Sequence, residues 1–369
     1  MRFPGGLNSA GDLQRGASVI GLEKKVGWSG LLSGAALVLA LCVAPAGTAF
    51  AASAGSKSAK THKHHVLKAA RVKKAGVRKL HAGRKPALRH VAVVVPAGPS
   101  FGQAYGLHET EDPLDLKSSV ALVVDQDTNQ VLFSKNSMAV LPIASITKLM
   151  TALVVTEAHQ PDSDILTITQ DDVDTEKHSA SRLRVGTQLS RAEMLHLALM
   201  SSENRAAHAL CRYYPGGMQA CVAAMNRKAR ELGMMDTHYI EPTGLSSQNQ
   251  SSAHDLSLLV REAYRHPILR ELTTSREAQV EVGRRQMEFH NTNALVRNST
   301  WDIGLQKTGF INEAGRCMVM RAQLAGRKLI MVLLDSAGKY SPIGDAERIR
   351  RWLMAGGGTL HGGAVARTE

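Results

Sequence analysis

The sequence predicts an α+β protein: an antiparallel sheet flanked by helices, with a helical subregion between its first and last strands. Two observations predict it. Stretches rich in β-branched and aliphatic residues stand at both ends of the body, at 119–125 and 130–134 and again at 303–310, 317–324 and 328–334. Between them apolar residues recur at helical spacing, as in Ile146, Leu149, Met150, Leu153 and Val154. At 44% hydrophobic residues the chain can bury a sizeable core, although aromatics are only 4%. No internal repeat is visible.

Ahead of the first strand lie two segments of other character. Lys24 and Lys25 precede an apolar run at 31–43, and Ala49-Phe50-Ala51 follows as an Ala-x-Ala cleavage site. That order is a secretory signal, so residues 1–51 are expected to be a signal peptide directing the protein to the periplasm. The run is shorter than the ~18 apolar residues of a spanning helix. A retained signal anchor, giving peripheral membrane association, is the alternative. Cys42 follows Leu41, which is bulkier than lipoprotein sites accept.

Residues 52–106 are expected to be a disordered basic linker. The stretch 52–108 holds eight Lys and four Arg and no acid. Such composition cannot bury enough surface to offset its ordering entropy. The net charge of +13 comprises +12 here and +2 in the first 51 residues, leaving −1 for the remainder. The basic balance therefore describes a tail, which serves as a spacer or touches a polyanion, with no specific nucleic acid implied.

The folded body is expected over 107–355, with 356–369 as a flexible C-terminal tail. A hairpin joins 119–125 to 130–134, and a helix then runs from Ser145 to about Ala158. Residues 161–187 read as polar loops. Helices follow at 191–200, 205–213, 218–232 and 255–264, the last capped by Ser252 or Asp255. Three strands joined by turns at 312–315 and 325–327 come next, and a helix at 345–354 closes the body. Export implies a compartment where disulfides persist. Cys211 and Cys221 flank a helical connection and could pair; with Cys317 they could equally be three buried thiols. No C-x-x-C or H-E-x-x-H pattern occurs, so neither metal nor cofactor is predicted.

The chemistry is carried by three short motifs. Ser145 and Lys148 stand three residues apart, on one face of a helix, where the hydroxyl and the amine can meet. A desolvated lysine can be the base that makes such a serine a nucleophile. Ser202-Glu203-Asn204 adds a second hydroxyl and an amide between two helices. Lys307-Thr308-Gly309 sits in a strand, where Gly309 leaves room for a substrate backbone to lie alongside. Each motif alone is weak: Ser336-x-x-Lys339 is a second S-x-x-K, and Ser247-x-Asn249 a second S-x-N. The three in order form the signature shared by serine β-lactamases and penicillin-binding proteins.

From 119 to about 353 the chain resembles the low-molecular-mass penicillin-binding proteins, the D-alanyl-D-alanine peptidase family. The resemblance covers 121–125, 132–136, 181–183, 241–245 and 307–317 as well as the motifs, and is greatest to the endopeptidase branch. It implies a β-lactamase/transpeptidase-like fold, peptidoglycan stem peptides as substrate and β-lactam antibiotics as covalent inhibitors. It also implies roles. Ser145 attacks a D-alanyl carbonyl, and Lys148 is its base. Ser202, bonded toward Lys148 and Lys307, relays a proton, and Asn204 orients Lys148 and the substrate amide. Lys307 and Thr308 hold the substrate, while Ser145 and Phe310 offer oxyanion N–H groups. Desolvation and the like charge of Lys307 are expected to hold Lys148 neutral. A D-alanyl-D-alanine carboxypeptidase is the alternative. A class A β-lactamase is disfavoured because no E-x-x-L-N string stands between Lys148 and Lys307. A non-catalytic wall-binding protein is the reading from another class.

Overall fold

The computed structural model describes residues 98–358 and 367–368. The expected signal segment and nearly all of the basic segment lie outside them. Among the described residues no helix is long and apolar enough to cross a membrane.

The body starts earlier than the sequence suggests. Ser100 caps a short helix, α1 (Phe101–Ala104), through a capping box with Gln103. Ser100 is buried, and the Phe101 N–H donates to the Glu313 carbonyl. The expected boundary at 106/107 is therefore wrong by several residues. Small and apolar residues at 100–104 pack on the sheet through local capping, which composition does not reveal.

The main sheet runs β12-β2-β1-β11-β10-β9. Its members are β1 (Ser118–Asp125), β2 (Val131–Lys135), β9 (Asp302–Ile311), β10 (Gly315–Leu324), β11 (Arg327–Ser336) and β12 (Arg367–Thr368). All neighbouring pairs are antiparallel except β12, which pairs in parallel with Ser134 and Lys135. Part of the segment expected as a tail thus joins the sheet edge. β1 is buried along its whole length because both faces of the sheet are covered. Val120, Leu122, Val124 and Val332 face one hydrophobic core, while Ala121, Val123, Met331 and Leu333 face another. The second core is closed by α8 (Ser341–Met354) through Ala346, Ile349 and Leu353.

The first core holds the helical subregion. A short bridge, β3 (Leu141–Pro142), leads through a 3-10 turn at Ala144–Ile146 into α2 (Thr147–Glu157). Residues 147–155 of α2 are all buried, as in a helix that is apolar all round and lies at the centre of its domain. The polar stretch 161–187 contributes β4 (Ile165–Thr167), which pairs with β5 (Gln188–Ser190). Then come α3 (Arg191–Met200), α4 (Asn204–Arg212) and α5 (Gly217–Glu231). A disulfide joins Cys211 of α4 to Cys221 of α5, whereas Cys317 is a buried free thiol. β6 (Gln250–Ser251) pairs with β3 and precedes α6 (Ala253–Arg265), capped by Ser252. α7 (Pro267–Thr274) opens with proline, which fits a first helical turn.

A hairpin of β7 (Glu277–Val282) and β8 (Arg285–His290) follows. No periodicity announces it, since Val280 and Phe289 are its only buried side chains.

Candidate active site

Ser145 lies in the 3-10 turn, not in the helix proper, and Lys148 lies in the first turn of α2. The turn needs Ala144 in the left-handed region at φ 46°. Lys148 Nζ is then 2.8 Å from Ser145 Oγ. It also reaches Asn204 Oδ1 at 2.7 Å and the Thr243 carbonyl at 2.6 Å.

Asn204 is the first residue of α4, and its amide nitrogen donates to Ser179 Oγ at 2.8 Å. Ser202 sits in the connection from α3 with φ 63°, a costly conformation for a residue with a Cβ. In that conformation its hydroxyl accepts from Lys307 Nζ at 2.9 Å. Lys307 also donates to the Thr308 carbonyl at 2.8 Å. The expected bond from Ser202 toward Lys148 is not formed: Lys148 spends its donors on Asn204, Thr243 and Ser145.

The two lysines are fully buried. Burial pushes Lys148 down to about 7, while the carboxylates of Glu241 and Glu203 pull the other way. Burial also pushes Lys307 well below its ordinary range, and the charge of Lys148 adds to this. The like-charge effect expected on Lys148 therefore falls on Lys307.

β9 is the edge strand of the main sheet, so its outer edge is free to receive an extended chain. Gly309 lets this strand approach Ser145. A Cβ there would lie 2.8 Å from the Ser145 nitrogen and 3.1 Å from the Ile143 carbonyl. Thr308 Oγ1 is 2.6 Å from Thr292 Oγ1, and half-exposed Phe310 carries the Arg316 guanidinium 4.3 Å from its ring centroid. A cleft of about 350 Å³ runs along this edge, lined among others by Ser145, Ser202, Asn204, Thr308 and Phe310.

A nucleophilic hydroxyl beside a depressed lysine, with a strand edge for an extended substrate, equips the site for acyl transfer. Residues 107–338 match the model of peptidase family S11, D-alanyl-D-alanine carboxypeptidase. The chain belongs to this family. It is 47% identical over 268 residues to a D-alanyl-D-alanine endopeptidase of Pseudomonas aeruginosa, covering 72% of this chain and 85% of that protein. A D-alanyl-D-alanine endopeptidase of Escherichia coli is 41% identical over 266 residues, covering 72% and 86%.

Among solved structures, a D-alanyl-D-alanine carboxypeptidase of Mycobacterium tuberculosis aligns at TM-score 0.60 with 26% identity, covering 65% of this chain and 92% of its own. The Streptomyces K15 DD-transpeptidase, at TM-score 0.61 and 24% identity, shares the fold over 65% of this chain and 98% of its own. The β-lactamase/transpeptidase-like fold and serine peptidase class expected from the motifs are those of this S11 family member.

All eight expected site residues converge on the cleft or its buried floor. The decoys do not act as a second site. Ser336 is buried at the end of β11, with its hydroxyl 2.6 Å from Ser118 Oγ. Asn249 of the rival S-x-N is buried and donates to Thr147 Oγ1 and to Glu241. Sequence reasoning assigned no part to Ser179, Thr243, Glu241 or Thr292. Thr243 and Glu241 lie in the stretch 241–245 where the family resemblance was visible, which was the available signal; Ser179 and Thr292 lie outside the resembling stretches.

Proposed function

We propose that this protein is a serine D-alanyl-D-alanine endopeptidase that hydrolyses D-alanyl cross-links of peptidoglycan during cell-wall remodelling in the periplasm. The observation that carries the reading is Ser145 Oγ at 2.8 Å from the amine of buried Lys148, which is pushed down to about 7. A neutral Lys148 accepts the Ser145 proton as Oγ bonds to the D-alanyl carbonyl carbon. The Ser145 and Phe310 N–H groups face the developing oxyanion, a donor of this kind being worth ~3 kcal/mol of transition-state stabilisation. When the intermediate collapses, the C–N bond breaks and the leaving nitrogen takes up the proton that Lys148 received, relayed by the Ser202 hydroxyl, which Lys307 orients, so that Lys148 is neutral again. Water then adds to the acyl ester, gives a proton back to Ser145 through Lys148, and releases the D-alanyl carboxylate. Asn204 holds Lys148 in register, and Lys307 and Thr308 hold the substrate along β9.

Identity to named endopeptidases at 47% and 41%, against 30% to the carboxypeptidase DacF of Bacillus subtilis, favours cross-links over terminal bonds. A digest of purified cross-linked muropeptides tests this. Release of monomers is expected; loss of a terminal D-alanine alone would assign a carboxypeptidase. Penicillins acylate the same serine in this reading, so Ser145→Ala is expected to abolish labelling by a fluorescent penicillin. Persistent labelling would mean that another serine is the nucleophile. The basic segment before the body supplies contact with a polyanionic surface.

A further inference from the structure

The loop between α5 and β6 carries a carboxylate with an unusual number of donors. Glu241 Oε2 accepts from the Thr243 N–H at 2.6 Å and the Thr243 hydroxyl at 2.5 Å. Its Oε1 accepts from the Gly244 N–H at 2.6 Å, Asn249 Nδ2 at 2.9 Å and the Ser246 N–H at 3.4 Å. The loop so gathered lies directly on the nucleophile turn. Gly244, at φ 81°, has no room for a side chain: a Cβ would fall 1.9 Å from the Ala144 carbonyl oxygen. The Pro242 carbonyl accepts from Thr151 Oγ1 of α2 at 2.8 Å, and the Thr243 carbonyl accepts from Lys148 Nζ at 2.6 Å.

We propose that Glu241 is a positioning residue of the acylation step: its carboxylate gathers residues 241–246 so that the Thr243 carbonyl stays on Lys148 Nζ, and its negative charge bears on buried Lys148. Two carboxylates bear on Lys148, Glu203 from the connection before α4 and Glu241 from this loop, while Lys148 in turn bears on Lys307 of β9. Glu203 is itself engaged, accepting from Ser181 Oγ at 2.6 Å and pairing with Arg182 at 3.5 Å. The direct partners of Glu241 are neutral N–H and O–H donors, and His208, which lines the same cleft, is paired with Asp172. Its charge therefore acts inward and favours the ammonium form of Lys148.

The inference rests on the proposed reading of Lys148 as the base and makes a signed prediction. Glu241→Gln removes the charge, so Lys148 gives up its proton more readily. The acidic limb of the penicillin-acylation profile is expected to move to lower pH by roughly 0.5–1 unit. The plateau is expected to fall roughly tenfold as the loop loosens. Asn249→Ala removes one donor and leaves the charge, so its plateau falls while its limb stays. A lowered plateau with an unmoved limb in Glu241→Gln would reduce Glu241 to a structural role and overturn the proposal. If Glu241→Gln does not fold, Glu241→Asp keeps the charge and must keep the limb in place; a limb that moves there overturns it equally. An unlabelled wild-type protein would instead refute the assignment of function.

Discussion

Lys148 has as many acceptors as an ammonium has protons: Ser145 Oγ, Asn204 Oδ1 and the Thr243 carbonyl. A neutral amine fits the same three partners, donating to Asn204 and Thr243 while its lone pair receives the Ser145 hydroxyl proton. The geometry thus serves both protonation states, and pH selects between them. With Lys148 at about 7, acylation by a fluorescent penicillin is expected to rise across neutrality and level off above about pH 8. A rate that is flat from about pH 5.5 to 9 would remove Lys148 as the titrating base. Gly309 makes a second residue-level prediction. The added methyl of Gly309→Ala would meet backbone atoms that cannot swing away, so the β9 edge or the Ser145 turn must shift. A shift of this kind is expected to cost acylation at least roughly tenfold. Acylation at the wild-type rate would show that the strand edge does not define the reacting geometry. Ser145, Lys148 and Lys307 were legible because each lies in a short motif with a chemical reason for its spacing. Thr243 was not, because it acts through a carbonyl that every residue type has, and only the folded loop shows where that carbonyl points.

At the scale of elements, the central helix and the five long strands follow from periodicity, since a buried helix or strand must repeat apolar residues at 3.6 or 2. What escaped were elements that bury little. The β7–β8 hairpin hides two side chains, and α1 is a single turn held by its cap. Yet α1 has weight in the fold. It covers Asp335, whose carboxyl is raised by burial with polar groups of Ser100, Gly102 and Gln103 around it, while the Ser119 hydroxyl donates to the Asp335 backbone carbonyl. A chain that starts at residue 107 loses the polar surroundings that 100–103 supply. It is expected to be less stable than one starting at residue 98 by about 1–3 kcal/mol, the penalty of a buried carboxyl left short of partners. Equal melting temperatures for the two would return α1 to the status of a tail. The disulfide between α4 and α5 closes a short loop. Its removal by Cys211→Ser with Cys221→Ser is expected to lower stability by about 2–3 kcal/mol in denaturant unfolding.

Across the whole molecule, charge and chemistry are separated along the chain. Residues 52–108 hold +12, while 109–369 carry −1, so the body with its cleft has almost no net field to steer an anionic polymer. Catalysis depends on contacts within a few ångströms of Ser145, all made by residues of the body. Deleting 52–97 is therefore expected to leave penicillin acylation and the cleavage of soluble cross-linked muropeptides unchanged. Attraction between the segment and an insoluble anionic wall should instead govern how much protein is retained there. In a sedimentation assay with purified wall material, the full mature chain should bind at low salt. It should be released as ionic strength rises past about 0.15 M, where the screening length falls to about 8 Å. The deletion variant should remain in the supernatant throughout. Equal retention of the two at low salt would place wall contact in the body, and loss of soluble-substrate turnover in a folded deletion variant would mean that the segment reaches the site itself.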